Sequence, residues 1–177
     1  MNDKMDLYRA LNESYTRAPN LPDAQITEVF GLPYYAETYP KGESQSPDSR
    51  KNLIRLAPNE LSFEERVSMI TGERSHLGKQ DSEYRKLRDS FIGSLEPEQK
   101  DYLKSRYEMS GDQRPFSQWL DVSFYDSLIR DYNLPNLPSS DKPEDREKFR
   151  EEFYTPDNKS ALEALLDYIS QPVTPYD

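Results

Sequence analysis

Proline placement constrains this chain more than any other feature. Pro19, Pro22, Pro33, Pro40, Pro47 and Pro58 all fall between Arg17 and Glu60. Each holds φ at about −65° and removes a backbone donor, so a helix cannot run through it. Between them no helical stripe exceeds about two turns, Ala24–Phe30 being the best candidate. Lys41–Lys51 (KGESQSPDSRK) contains no apolar residue at all. No segment alternates convincingly enough to read as a strand. The expectation is therefore an extended, Pro/Tyr-rich arm over residues 17–60, longer than ordinary connections inside a compact domain.

The flanking regions carry helical signals. Leu7, Leu11 and Tyr15 recur at i, i+4 and i+8, which predicts a first helix within residues 1–16. From Leu61 onward helices follow one another, so residues 61–177 are expected to form a helical body. Ser62 and Glu65 make a capping box ahead of Phe63, Val67 and Ile70, with Gly72 as the expected stop. Tyr84, Leu87, Phe91 and Leu95 form the stripe of a second helix in this body. Pro97 opens a third, which carries Tyr102, Leu103, Arg106 and Tyr107 and ends at Gly111. Pro115–Ser123 reads as a compact turn or short helix, and Leu128, Ile129 and Tyr132 mark the next helix. Glu144–Phe153 reads as a charged helix, and Thr155-Pro156 as the start of the last, with Leu162, Leu165, Leu166 and Ile169 facing inward. The expected fold is mostly α: a small helical bundle with a long Pro-rich extended N-terminal arm.

Composition then limits the core. Only 34 % of the 177 residues are apolar, and 13 are Tyr, so the core must be small and rich in tyrosine. The absence of cysteine excludes disulfides, thiolate metal sites and thiol catalysis. His76 is the single histidine and lies in a polar loop between two helices, without a nucleophile motif beside it. Neither G-x-x-x-x-G-K-[ST] nor G-x-G-x-x-G occurs, so a phosphate loop is not expected. The acid pairs Glu64/Glu65, Glu96/Glu98 and Glu151/Glu152 sit at helix starts or on a charged helix face, where solvation and the helix dipole account for them. No catalytic, cofactor-binding or metal-binding residue is expected, and the chain is read as not an enzyme.

The charge of −10 is uneven: Gly111–Asp177 holds 7 bases and 14 acids, hence −7 of it. That sign repels phosphates, so direct nucleic-acid binding is not expected. No apolar run is long enough for a membrane span, and Met1–Tyr15 lacks the apolar stretch of a secretory signal. Trp119, beside Phe116 and Leu120, is expected at the hydrophobic centre of the C-terminal half. Tyr34, Tyr35 and Tyr39 are different. They cluster in the arm, flanked by Pro33 and Pro40, where no local core is expected to receive them. Tyrosine suits interfaces, so these three are the candidate partner-binding residues.

Three segments also carry a resemblance. Arg114–Asp121 (RPFSQWLD), then Ile129-Arg130, then Tyr154-Thr155-Pro156-Asp157 ahead of Leu162–Ile169, resemble parts of small accessory proteins encoded among the virion genes of tailed bacteriophages. The match covers about a third of the chain. It implies a structural or ejected virion component, located in the virion or the host cytoplasm, with no catalytic residues to carry over. The functional expectation is a structural or assembly protein that docks on a larger protein assembly, made of other virion proteins or of copies of itself. The alternative is an acidic inhibitor that imitates nucleic acid in a basic cleft, with Glu144, Glu147 and Glu151 at i, i+3 and i+7 on one helix face.

Overall fold

A computed structural model of the chain describes residues 3–29, 35–57, 61–133, 151, 153–154 and 158–169. It is mostly helical, with one small sheet. In chain order the elements are α1 (Asp3–Arg17), β1 (Gln25–Glu28), β2 (Tyr35–Tyr39), β3 (Leu53–Ala57), α2 (Phe63–Ser75), α3 (Ser82–Gly93), α4 (Pro97–Met109), α5 (Phe116–Trp119), α6 (Tyr125–Asn133) and α7 (Lys159–Ile169). A 3-10 turn (Gly78–Gln80) precedes α3, and a π-helical turn (Leu120–Phe124) joins α5 to α6.

The sheet is the main departure from the sequence reading. The described residues of the expected arm supply all three strands, in the order β1-β3-β2. β1 runs parallel to β3, with Ile26 against Ile54, and β2 runs antiparallel to it, with Glu37 against Arg55. Where a helix was the best local candidate, Gln25–Glu28 is a strand. Ala18, Leu21, Ala24, Ile26, Ile54 and Leu56 all join the same core as the helices. The described prolines do not prevent this, because none of them lies inside a strand: Pro19, Pro22 and Pro47 sit in turns and loops, and Pro40 directly follows β2. Pro33 and Pro58 lie outside the described residues.

The sheet's inner face rests on helices. Ile26, Ile54 and Leu56 pack into the core with Leu7, Ala10 and Leu11 of α1 and with Val67 and Ile70 of α2. Thr38 fixes the edge of this contact: its hydroxyl bonds the Glu73 carbonyl of α2 at 3.0 Å. The β2–β3 connection is tied at its base. Lys41 N–H donates to Asn52 Oδ1 at 2.8 Å, and the side-chain amides of Asn52 and Gln80 exchange two bonds of 2.9 Å.

The helix starts are local and behave as the spacing predicts. Ser62 caps α2 by accepting from Glu65 N–H at 3.2 Å, and Asp81 caps α3 by accepting from Tyr84 N–H at 2.9 Å. Pro97 lies in the first turn of α4, and Gly111 follows that helix at φ 71°. Gly72 does not stop α2, which continues to Ser75. Its role is close approach: a Cβ there would lie 3.2 Å from Arg130 Nη2. Continuing the helix through Gly72 is what delivers Arg74 and Ser75 to buried positions. The expected Thr155-Pro156 start of the last helix and the Glu144–Phe153 helix fall wholly or mainly outside the described residues. The predicted stripe Leu162, Leu165, Leu166 and Ile169 is buried throughout.

The tyrosine-rich core is real. Tyr84 and Tyr125 are fully buried and stack with ring centroids 3.7 Å apart. Trp119 is buried as well, stacked on Phe116 at 5.9 Å and meeting the edge of Tyr107 at 5.6 Å. No described helix is long and apolar enough to cross a membrane.

Candidate protein-binding face

Strand alternation and register sort the sheet residues into two faces. Ala36 and Thr38 share the inner face with Ile54 and Leu56. Positions 35, 37 and 39 share the other face with Leu53, Arg55 and Ala57 of β3, and with Gln25 and Thr27 of β1. This face points away from α2. Tyr39 and Glu37 are half-buried on it, while Gln25 and Thr27 are exposed. Leu53 and Ala57, on the central strand, are buried.

The polar groups of the face form one cluster. The Tyr39 hydroxyl is held above its ordinary pKa, chiefly because Glu37 accepts its hydrogen bond, and Arg55 pulls in the opposite direction. Glu37 stands directly across from Arg55 in the register. The result is an aromatic ring, a carboxylate and a guanidinium on one side of a sheet whose other side is committed to the core. Of the three tyrosines singled out by sequence, the structure puts positions 35 and 39 on one strand and one face. Tyr34 lies outside the described residues.

The other sequence candidates scatter. His76 is exposed just beyond α2, and Glu64, Glu65, Glu96 and Glu98 are exposed at helix starts. Glu151 is exposed, whereas Glu144 and Glu147 lie outside the described residues. Among the described residues no group of three or more His, Cys, Asp or Glu side chains is placed to hold a metal ion.

Three buried polar hubs escaped the sequence reading, and each fixes part of the scaffold. The Arg74 guanidinium, fully buried, donates to Ser14 Oγ at 3.0 Å and to the carbonyls of Ala18, Leu21 and Pro22 at 3.1, 2.6 and 3.3 Å. It also lies 4.3 Å from the centre of the Tyr15 ring, and burial pulls its pKa down to about 10. It remains charged at neutral pH and clamps the turn that leads from α1 into the sheet. The only clue in the sequence is that Arg74 continues the stripe of Val67 and Ile70 at i+7 and i+4.

Asp81 is the second hub. Besides capping α3 it accepts from Tyr125 Oη at 2.7 Å and from Tyr168 Oη at 2.8 and 3.0 Å, so one carboxylate joins α3, α6 and α7. Burial and the bond to Asp81 raise the pKa of both phenols, which keeps them protonated donors. The third hub is the buried pair Arg88–Asp121, which Arg85 approaches at 3.7 Å. It holds the π-helical turn against α3, and Tyr84 Oη adds a bond to the Leu120 carbonyl at 2.7 Å. Buried ionic pairs of this kind are spaced by tertiary contact and leave no local motif.

Comparison with known proteins finds no family model, no curated protein and no solved structure that matches the chain.

Proposed function

We propose that the protein is a non-enzymatic structural or assembly protein that docks on a larger protein complex through the outer face of its sheet. One observation supports this reading above the others: β2 carries Glu37 and Tyr39 on the side turned away from the helical core, with position 35 at the same register phase. Half-buried tyrosine beside a carboxylate and a guanidinium that stand opposite each other in the register supplies apolar area with hydrogen-bonding tips, the composition of interface centres. The mechanism differs from the one that an extended arm would use. Tyr39 is presented on a folded surface, so little ordering entropy is lost on docking. The virion setting is the expectation drawn from the resemblance in Arg114–Asp121 and Tyr154–Asp157, and it makes a phage particle the first complex to test.

Co-sedimentation tests the reading. Tyr35→Ala with Tyr39→Ala should release the chain from its complex, at about 1 to 2 kcal/mol or more for each ring that docking buries. Attachment should change little between low and moderate salt. Steep salt dependence, with release by charge reversal at Glu144, Glu147 and Glu151 and none by the tyrosine substitutions, would assign the chain to nucleic-acid mimicry instead.

A further inference from the structure

The main-chain bonds of the sheet determine which way β2 presents its own polar groups. Gln25 N–H donates to the Asn52 carbonyl and Val29 N–H to the Leu56 carbonyl, each at 3.0 Å. In a parallel ladder the bonding residues alternate, so residues 52, 54 and 56 of the β3 segment turn toward β1. Residues 53, 55 and 57 therefore turn toward β2, and their opposite numbers 39, 37 and 35 form the hydrogen-bonded pairs. Ala36 and Thr38 are left with N–H and C=O directed away from β3. Among the described residues no strand lies on that side of β2. Thr38 itself bonds α2 through its hydroxyl and not through its main chain.

The open row has one described end. The next outward position is Pro40, which has no N–H to offer, so the row ends there. An unpaired row of alternating donors and acceptors is complementary to one kind of ligand, an extended backbone. From this geometry we infer that β2 binds its partner by strand addition, taking an extended segment of a different protein along Ala36–Thr38, with a basic residue of that segment beside Glu37.

Charge selects the occupant. A second copy paired antiparallel through all the outward groups of Ala36 and Thr38 would set Glu37 directly against its own counterpart, and like charges in that position repel. Two chains of net charge −10 also repel at a distance. A basic or neutral segment meets neither penalty. The inference rests on the reading of β2 as the partner-binding strand and specifies what that strand takes.

The test uses peptides selected from a random display library against the intact chain, with Ala36→Pro and the double variant Tyr35→Ala, Tyr39→Ala as comparisons. Ala36→Pro removes an outward donor and no donor that faces β3. The selected peptides should alternate β-forming residues with lysine or arginine, and Ala36→Pro should weaken their binding at least tenfold. In the unaltered chain, amide exchange at Ala36 and Thr38 should be fast when free and slow when a peptide is bound, which keeps the test independent of how the proline variant folds. Slow exchange at both amides in the free chain would overturn the inference, because the edge would already be occupied. Failure to select any peptide would overturn it too. Binding that survives Ala36→Pro but not the tyrosine variant would reject strand addition and retain the face; binding that survives both would reject the face as well.

Discussion

Replacing Arg74 tests whether a single buried cation organises the entry to the sheet. In Arg74→Met two carbonyls, Leu21 and Pro22, lose the guanidinium that bonds them. Ala18 keeps a bond from Leu21 N–H at 3.2 Å, and Ser14 keeps Thr71 at 2.9 Å. Each orphaned buried carbonyl costs about 1 to 3 kcal/mol, and the lost stacking on Tyr15 about 1 to 2 more. Removing a buried charge returns part of this, on the order of 3 kcal/mol for a guanidinium whose pKa is drawn down to about 10. The net loss is about 0 to 5 kcal/mol, centred near ~2.5 kcal/mol, which corresponds to a fall in Tm of about 5 to 10 °C for a chain of this size. Arg74→Lys is the sharper comparison. The ammonium retains the burial cost, yet it offers three donors without the planar fork and cannot stack as a guanidinium does. Lysine should therefore destabilise at least as much as methionine. Urea titrations of both variants measure this, and a lysine variant within about 1 kcal/mol of the parent would refute the reasoning, since generic charge would then suffice.

Other perturbations follow from the same geometry. A Cβ at Gly78 would lie 2.0 Å from the Asp121 carbonyl oxygen, so Gly78→Ala should cost about 1 to 3 kcal/mol or more by forcing the 3-10 turn off the π-helical turn; a thermal melt close to the parent's would disprove that contact. Trp119→Ala should cost about 3 to 5 kcal/mol in the same assay, because the ring is buried among Phe116, Tyr107 and Phe124. Bonds from Arg114 hold Asp112 down at about 2. A carboxylate depressed on folding contributes stability above its unfolded pKa, so this contribution is present above about pH 4 and lost as pH falls toward 2. Asp112→Asn should flatten that part of the acid denaturation curve, and an unchanged slope would exclude the Asp112–Arg114 pair as its source.

The helices were legible where their signals are local. The Ser62 cap, the proline in the first turn of α4 and the Leu162–Ile169 stripe each depend on residues within a few positions of one another. β3 was not legible for the opposite reason. Leu53–Ala57 is buried on both faces apart from Arg55, so it shows no alternation, and its partner in β1 is distant in sequence. Once β3 is central, β1 and β2 can pair with it despite their short length. The described prolines that suggested an arm fall outside the strands, in turns, in the β2–β3 loop and, for Pro40, directly after β2, where proline is tolerated. Gly72 shows the same limit from the helical side: a glycine that reads as a stop is a place where Arg130 comes close. The tyrosines at 35 and 39 could be picked out from spacing and proline flanks, but their common face depends on a sheet that only long-range pairing creates.

The most direct measurement of the docking claim is an amide-exchange footprint of the chain, free and bound to the complex with which it sediments. Binding through the sheet predicts slowing concentrated in Tyr35–Tyr39, led by the Ala36 and Thr38 amides, while the helices change little. Slowing confined to α4 or α7, with β2 exchanging as it does in the free chain, would contradict the account.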